Sequence, residues 1–213
     1  MKLNGDSLLL YAVTNRSWAG KKTLYEQIQE ALIGGVTCVQ LREKDLEEEA
    51  FLAEAVKIKE LCHSYNVPFL INDNVKVAIA CKADGVHVGQ SDLPVSEIRK
   101  MVSDDFIIGA TAKTIEQAQK AEKDGANYLG VGAIFPSPTK KDAIRITSKQ
   151  LKEICASVSI PAVAIGGINL FNMTEISGCG MKGIAVVSAI FAADNIKIAT
   201  QELKKKISVM IAE

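Results

Sequence analysis

The sequence alternates short apolar runs with longer amphipathic stretches, and this alternation restricts the fold more than any other feature. The eight runs predicted as strands are Leu8–Thr14, Cys38–Arg42, Pro68–Ile71, Gly85–Val88, Ile107–Ala110, Tyr128–Val131, Ala162–Ile165 and Gly183–Val187. The clearest helical patterns between them are Leu46–Tyr65, Thr114–Asp124, Ser148–Ser157 and Asn195–Ile211. Runs such as Val163–Ile165 are apolar on both faces, which is what parallel strands covered by helices require.

Repeated βα units build a parallel sheet that is either open and doubly wound or closed into a barrel. The chain has 213 residues, which is near the lower size limit for barrels, and about eight units at that length favour closure. No linker, low-complexity segment or charge block divides the chain. The sequence therefore predicts an α/β fold, a single (β/α)8 TIM barrel domain spanning residues 1–213.

Composition excludes several classes of function. Lys plus Arg and Asp plus Glu number 25 each, so the balanced charge gives no general reason to expect nucleic acid or an anionic membrane as a partner. The five cysteines are scattered and are expected to be reduced and buried, and two histidines offer little for a zinc site. The apolar run Ser7–Val13 is too short to cross a membrane. We expect a cytoplasmic protein that binds small molecules, and the sequence leaves open whether it forms a homo-oligomer.

The second strand carries the first chemical signal. Gln40, Arg42 and Lys44 occupy alternate positions, so they share one face, which in a barrel would be the interior near the top. Two cations there are costly unless an anion joins them. The alternative is an ion-paired plug that uses acids from neighbouring strands.

Two acids follow neighbouring predicted strands. Asp73 and Asp92 each come just after a strand, at the barrel end where active sites are built. Carboxylates without nearby Cys or His ligands suit Mg²⁺, which keeps waters and bridges to substrate phosphates. Each acid alone could instead be the N-cap of the following helix, over Val75–Cys81 or Pro94–Val102. His87, within a strand, is expected to pack rather than to act as a base.

Two later segments could hold phosphate. The stretch Gly132–Asp142 carries hydroxyls, prolines and two lysines, and it could fold over a ligand or simply be a solvated loop. Gly166 and Gly167 end the seventh strand, and Ser188 opens a short helical segment after the eighth. Loops after the seventh and eighth strands are the usual phosphate site of this fold.

Several strings, taken in order, carry a family resemblance. They are Tyr11–Thr14, Val39–Lys44, Ile71–Asp73, Ala83–Gln90, Gly130–Gly132 with Phe135–Asp142, Ile165–Ile168 and Val186–Ile190. Together they resemble the thiamine-phosphate synthase (thiamine-phosphate pyrophosphorylase) family over essentially the whole chain. The resemblance implies an enzyme that joins 4-amino-5-hydroxymethyl-2-methylpyrimidine diphosphate to a thiazole phosphate and releases pyrophosphate through a carbocation-like step.

The resemblance also implies roles for particular residues. Arg42, Thr111 and Lys140 would act in catalysis, and Asp73 and Asp92 would hold Mg²⁺. The residues implied to bind substrate are Gln40, Leu41, Arg42, Glu43, Lys44, Asn72, Thr111, Ser137, Pro138, Thr139, Lys140, Gly167, Val187 and Ser188. The diphosphate would lie on the early strands, and the thiazole phosphate would lie against residues 137–139, Gly167, Val187 and Ser188.

Four positions depart from the family pattern. Thr111 stands where Ser is usual and Ser137 where Thr is usual, so both keep a hydroxyl. Lys113 stands where His is common, and Asn15 where Asp is frequent. Two alternatives stay open: a thiazole tautomerase, which would not need the two acids, and a non-catalytic sensor of thiamine precursors.

Overall fold

Eight parallel strands close into a barrel in which each strand pairs with its neighbours in chain order. The computed structural model describes residues 3, 6–18, 20, 22–137 and 144–212. The strands are β1 (Leu10–Val13), β2 (Cys38–Leu41), β3 (Phe69–Asn72), β4 (Gly85–Val88), β5 (Ile107–Ala112), β6 (Tyr128–Gly132), β7 (Ala162–Ile165) and β8 (Gly183–Val186). The barrel closes where β8 pairs with β1, with Ile184 opposite Leu10. The predicted TIM barrel is confirmed.

Helices surround the strands on the outside; the first six lie between consecutive strands and the last two follow β8. They are α1 (Leu24–Gly34), α2 (Glu48–Ser64), α3 (Val75–Ala80), α4 (Val95–Met101), α5 (Ile115–Lys123), α6 (Ser148–Ala156), α7 (Ser188–Phe191) and α8 (Ile196–Ala212). Local sequence fixes where several begin: Thr23 forms a capping box with Glu26 at the start of α1, and Thr147 does the same with Gln150 at α6. The four helices predicted most clearly are confirmed.

Period-two alternation divides the apolar residues into two cores. Along β1, Leu10 and Ala12 face the helices, whereas Tyr11 and Val13 face the barrel interior. The interior cluster consists of Leu8, Tyr11, Val13, Cys38, Leu70, Ile107, Tyr128, Val163 and Ala185. The described side chains therefore fill the barrel interior below the carboxyl ends of the strands.

The remaining expectations from composition concern thiols and membrane segments. All five cysteines are free, and four of them are buried, as predicted; Cys155 is half-buried. Among the helices of the described ranges, none is long and apolar enough to cross a membrane.

Candidate active site

A cavity of about 500 Å³ opens at the carboxyl ends of the strands. Most of the residues predicted to bind substrate or metal line it. These are Gln40, Arg42, Lys44, Asn72, Asp73, Asp92, Thr111, Ser137, Gly167, Val187 and Ser188. The structure therefore brings together residues from seven strands or the segments that follow them.

Arg42 is a cation in this cavity that has no partner among the described side chains. Its backbone is held by Thr14, whose hydroxyl accepts from the Arg42 N–H at 2.9 Å. Its side chain is half-buried and makes no ion pair or hydrogen bond with another described residue. Lys44, in contrast, pairs with Asp73. An ion-paired plug therefore accounts for Lys44 but leaves the Arg42 guanidinium uncompensated, which favours an anionic ligand.

Neither acid caps the helix that follows it. Asn74 is the N-cap of α3, and its side chain accepts from the backbone N–H of Val77 at 3.0 Å. Pro94 precedes α4 and makes no side-chain cap. The capping alternative for Asp73 and Asp92 is wrong, because other residues occupy those positions.

The two carboxylates are held toward each other instead. Asp73 accepts from Asn72 Nδ2 at 2.7 Å, and Asp92 accepts from the Gly89 backbone N–H at 2.7 Å. Burial raises the pKa of Asp73, Lys44 opposes that rise by hydrogen bonding, and the neighbouring Asp92 carboxylate adds to it. Lys44 thus sits beside Asp73 where a cation is favourable.

The donor set fits Mg²⁺ better than a metal that needs a full protein cage. Within the described part of the chain, no group of three or more His, Cys, Asp or Glu side chains gathers in a way that could hold a metal ion. Two carboxylates on the wall of this cavity would leave the other coordination positions to water and phosphate oxygens, which is how Mg²⁺ is usually held. The residues present therefore fit the predicted ion.

A buried chain of hydrogen bonds forms the floor of the cavity. Gln40 Nε2 donates to the Tyr11 hydroxyl at 2.6 Å, and the Tyr11 and Tyr128 hydroxyls lie 2.9 Å apart. His87 Nδ1 lies 2.8 Å from the Tyr128 hydroxyl, and His87 Nε2 lies 3.1 Å from Thr111 Oγ1. Burial lowers the pKa of His87 to about 4, so its ring is neutral near pH 7. This agrees with the expectation that His87 packs within the barrel rather than serving as a free base.

The end of the cavity formed by β7 and β8 depends on glycine. Gly166 and Gly167 both have positive φ, 103° and 65°, and a Cβ on Gly167 would lie 2.2 Å from the Pro136 carbonyl oxygen. The segment after β6 is fixed to β7, because the Phe135 N–H donates to the Gly166 carbonyl at 2.9 Å. Ser137 is thereby brought to the cavity wall.

Two residues predicted to bind substrate have side chains outside the cavity. Leu41 is fully buried in the core between strands and helices, and Glu43 accepts two hydrogen bonds from Arg16, at 3.0 and 3.1 Å. Both occupy the alternate positions of β2 and its extension, so their side chains point away from the face that carries Gln40 and Arg42. The prediction that these two residues bind substrate therefore requires contact through their backbone atoms.

Three further predicted residues, Pro138, Thr139 and Lys140, lie outside the described residues. Tyr11, Tyr128 and Lys113 were not among the residues predicted to form the site. Lys113 lines the cavity and is half-buried. Its position could have indicated this role, because Lys113 directly follows β5 and shares the strand face of Thr111 by period two.

Comparison with known proteins gives one family. Residues 10–190 match the family described as thiamine monophosphate synthase. A thiamine-phosphate synthase of Methanobrevibacter smithii is 50% identical over 204 residues, covering 96% of this chain and 97% of that protein. One from Clostridium botulinum is 45% identical over 197 residues, covering 92% of each.

Solved structures agree. Thiamine phosphate pyrophosphorylase from Pyrococcus furiosus superposes with a TM-score of 0.90 and 38% identity, over 97% of this chain and 98% of that one. The KGPDC of Streptococcus mutans has a TM-score of 0.68 over 95% of this chain, but at 14% identity it shows only the shared barrel fold. By sequence, fold and coverage, this chain belongs to the thiamine monophosphate synthase family of transferases.

Proposed function

We propose that this enzyme condenses 4-amino-5-hydroxymethyl-2-methylpyrimidine diphosphate with a thiazole phosphate, giving thiamine phosphate and pyrophosphate. The observation that carries the proposal is the pairing of two features in one cavity. Arg42 presents a half-buried cation that no described side chain neutralises, and Asp73 and Asp92 line the same cavity as a carboxylate pair. A metal-bound diphosphate satisfies both.

The first step breaks the bond between the pyrimidine methylene carbon and the diphosphate oxygen, and both bonding electrons leave with the diphosphate. Negative charge builds up on the leaving oxygen, so fixed cations and donors near it lower the barrier. Arg42 supports this role by charge and Thr111 by its hydroxyl, and Lys140 is assigned to the same group from the family resemblance. Bound beside Asp73 and Asp92, Mg²⁺ would neutralise charge on the diphosphate oxygens.

Lys44 and Lys113 extend the positive wall of this half of the cavity. Lys44 pairs with Asp73. If that carboxylate held Mg²⁺, the Lys44 ammonium would be free to bind the diphosphate. Lys113 lines the same cavity and stands two residues beyond Thr111. We assign both to diphosphate binding, by charge, rather than to proton transfer.

The thiazole phosphate is assigned to the opposite side, where Ser137, Gly167, Val187 and Ser188 line the cavity. Gly167 lets the backbone approach a ligand without a side chain between them. The thiazole nitrogen would then attack the pyrimidine methylene carbon from the side opposite the departing diphosphate. Attack by a ring nitrogen needs no general base, which suits a cavity whose only histidine is neutral and tied at both ring nitrogens.

The test is direct turnover. Purified protein is given both substrates with Mg²⁺, and thiamine phosphate and pyrophosphate are measured together. We expect both products in equal amounts, and folded protein that forms neither would overturn the proposal. A thiazole tautomerase would instead convert one thiazole isomer into the other with no pyrimidine substrate present, so that reaction is assayed in parallel.

A further inference from the structure

The five-residue hydrogen-bond chain on the cavity floor has both of its ends in the cavity. Gln40 stands at one end and Thr111 at the other, and both line the cavity wall. Two of its three inner residues, Tyr11 and Tyr128, are 1% and 0% exposed, so water does not compete for their hydroxyls. The partners come from β2, β1, β6, β4 and β5, and the chain therefore crosses the barrel interior.

The hydrogen-bonded side chains occupy space that two glycines leave open. A Cβ on Gly109 would lie 2.1 Å from Tyr128 Cζ, and a Cβ on Gly130 would lie 2.9 Å from His87 Cε1. Any side chain at these two positions would collide with the rings that carry the chain. The phenol and imidazole rings are thus held in place by packing as well as by hydrogen bonds.

Proton counting fixes the direction of the chain. The Gln40 amide donates to the Tyr11 oxygen, so the Tyr11 proton has the Tyr128 oxygen as its acceptor. The Tyr128 proton then has only His87 Nδ1, since every other described partner of that hydroxyl is a donor to it. A neutral imidazole that accepts at Nδ1 carries its proton on Nε2 and donates it to Thr111 Oγ1.

This direction sets what the two ends present to a ligand. Gln40 donates an N–H to Tyr11, so its carbonyl oxygen is free to accept a hydrogen bond from a ligand. Thr111 accepts a hydrogen bond from His87, so its hydroxyl proton is free to be donated to a ligand. Reversal of the chain would present the opposite groups at both ends. An amino-substituted heterocycle needs an acceptor, and a diphosphate oxygen needs a donor, so one direction serves both parts of the same substrate.

We propose that Tyr128 is a positioning residue that fixes the Nε2–H tautomer of His87, so that Thr111 donates to the diphosphate while Gln40 accepts from the pyrimidine amino group. The inference rests on the proposed function for the identity of the substrate. The state of His87, however, is a property of the protein alone and is measured without any substrate.

The experiment uses nitrogen NMR of protein labelled with ¹⁵N-histidine. The chain has only two histidines, and His63 serves as the internal reference. We expect His87 to carry its proton on Nε2 in the wild type and in Tyr11→Phe, because the Tyr128 hydroxyl still donates to Nδ1. In Tyr128→Phe that donor is gone, and we expect the Nδ1–H form to appear.

Kinetics on the same variants give the functional half of the test. Tyr128→Phe should lower kcat/KM for the pyrimidine diphosphate by about tenfold, as one misdirected hydrogen bond to a charged group would, with the KM for the thiazole phosphate unchanged. A wild-type His87 protonated on Nδ1 overturns the proposal, and this holds even if the variant fails to fold. A fall in kcat/KM with an unchanged tautomer, or a changed tautomer with unchanged kcat/KM, also overturns it. If wild-type protein forms no thiamine phosphate, the proposed function fails while the tautomer result stands by itself.

Discussion

Asp73 lies with φ near 61°, in the left-handed region that residues other than glycine seldom adopt. Its backbone N–H donates to the His87 carbonyl at 2.8 Å, and the next residue, Asn74, starts α3 in its place. The backbone thus turns the carboxylate away from the helix and toward Asp92. The positive φ has a clear consequence for function, because it converts a helix-capping sequence into half of a candidate metal site.

Removing either carboxylate should weaken metal use. We expect Asp73→Asn and Asp92→Asn each to raise the Mg²⁺ concentration needed for half-maximal rate by about tenfold or more, with partial recovery at high Mg²⁺. The measurement is the rate of pyrophosphate release across a Mg²⁺ titration. Asp124→Asn is the matched control, because Asp124 pairs with Lys120 on α5. Wild-type Mg²⁺ dependence in both site variants would contradict the metal assignment.

The two adjacent lysines Lys140 and Lys141 should differ in effect. Lys140 is assigned to the diphosphate from the family resemblance, and Lys141 has no assigned contact. We expect Lys140→Ala to reduce kcat by about 100-fold, within the range that transition-state charge contacts supply, and Lys141→Ala to reduce it by less than about threefold. Single-turnover rates at saturating substrate measure the difference. Equal losses in the two variants would argue against the assignment.

His87 should make stability depend on pH. Burial lowers its pKa from 6.5 to about 4, with an opposing influence from Asp92, and its ring contacts Tyr128 and Thr111. Below pH 6.5 the unfolded chain takes up a proton that the folded protein resists until about pH 4. Stability present above pH 6.5 is therefore lost as the pH falls toward 4, by about 3 kcal/mol.

Urea unfolding with EDTA present, followed by circular dichroism, measures this loss. His87→Gln provides the comparison, since glutamine cannot titrate. Asp73 acts in the opposite direction, because its raised pKa favours the protonated folded state as the pH falls, and it does so equally in both proteins. Parallel stability curves for the wild type and His87→Gln between pH 6.5 and 4 would contradict the prediction.

The sequence predicted the residues at the carboxyl ends of the strands well, since strand ends could be located and period two assigned their faces. Leu41 and Glu43 belong to the string that resembles the family, although the alternation places their side chains on the other face of β2. Tyr11 and Tyr128 could not be found this way. They belong to β1 and β6, and nothing in either strand alone indicates that the two hydroxyls meet.

At the scale of elements, a glycine on β5 makes room for a large aromatic ring on β6. Gly109 on β5 faces Tyr128 on β6, and the register places these two residues opposite each other. A Cβ on Gly109 would meet the Tyr128 ring at 2.1 Å, so the strand pair tolerates the buried ring only because glycine stands there.

Gly109→Ala should therefore destabilise the protein by about 1–3 kcal/mol, the usual cost of overpacking. The free energy of unfolding in urea measures this cost. In a Tyr128→Leu background the same substitution should cost much less, because the colliding ring is absent. Equal costs in the two backgrounds would show that the ring is not what excludes a side chain at position 109.

Strand and helix positions were predicted accurately because each element carries a local signal. β7 and β8 are apolar on both faces, and α5 and α6 begin at capping threonines. The end of β5 was placed too early, since Thr111 and Ala112 continue the strand after the apolar run ends. A polar residue that faces a ligand cavity interrupts the apolar pattern without ending the strand, so the pattern alone predicts an end that is too early.

At the scale of the whole molecule, one end of the barrel forms the cavity and the other end contributes to stability. Arg99 on α4 lies at the amino ends of the strands and donates to the carbonyls of Ser103, Phe106 and Gly125 and to Asn127 Oδ1, at 2.8 to 3.1 Å. It joins the loops that precede β5 and β6. No residue of the cavity takes part in these contacts.

Arg99→Ala should lower stability without changing catalysis. The carbonyls of Phe106 and Gly125 are partly buried, and leaving buried carbonyls without a donor costs about 1–3 kcal/mol. We therefore expect a loss toward the lower end of that range in urea unfolding. Arg99→Lys should lose part of it, since an ammonium cannot reach all four acceptors at once. The KM values for both substrates should stay within about twofold of wild type in folded protein. A selective rise in either KM would mean that the two ends of the barrel are coupled.

The pairing of β8 with β1, which closes the barrel, also affects folding during synthesis. β8 completes the hydrogen bonding of β1, the first strand to be synthesised, and α8 packs against α1. Until residues 183–186 leave the ribosome, a chain with seven strands displays two open edges, on β1 and β7, each able to pair with another nascent chain. Closure leaves the mature barrel without an edge, so the risk of aggregation is greatest in the interval before β8 emerges. Messages on which ribosomes pause just before β8 should therefore yield more insoluble product.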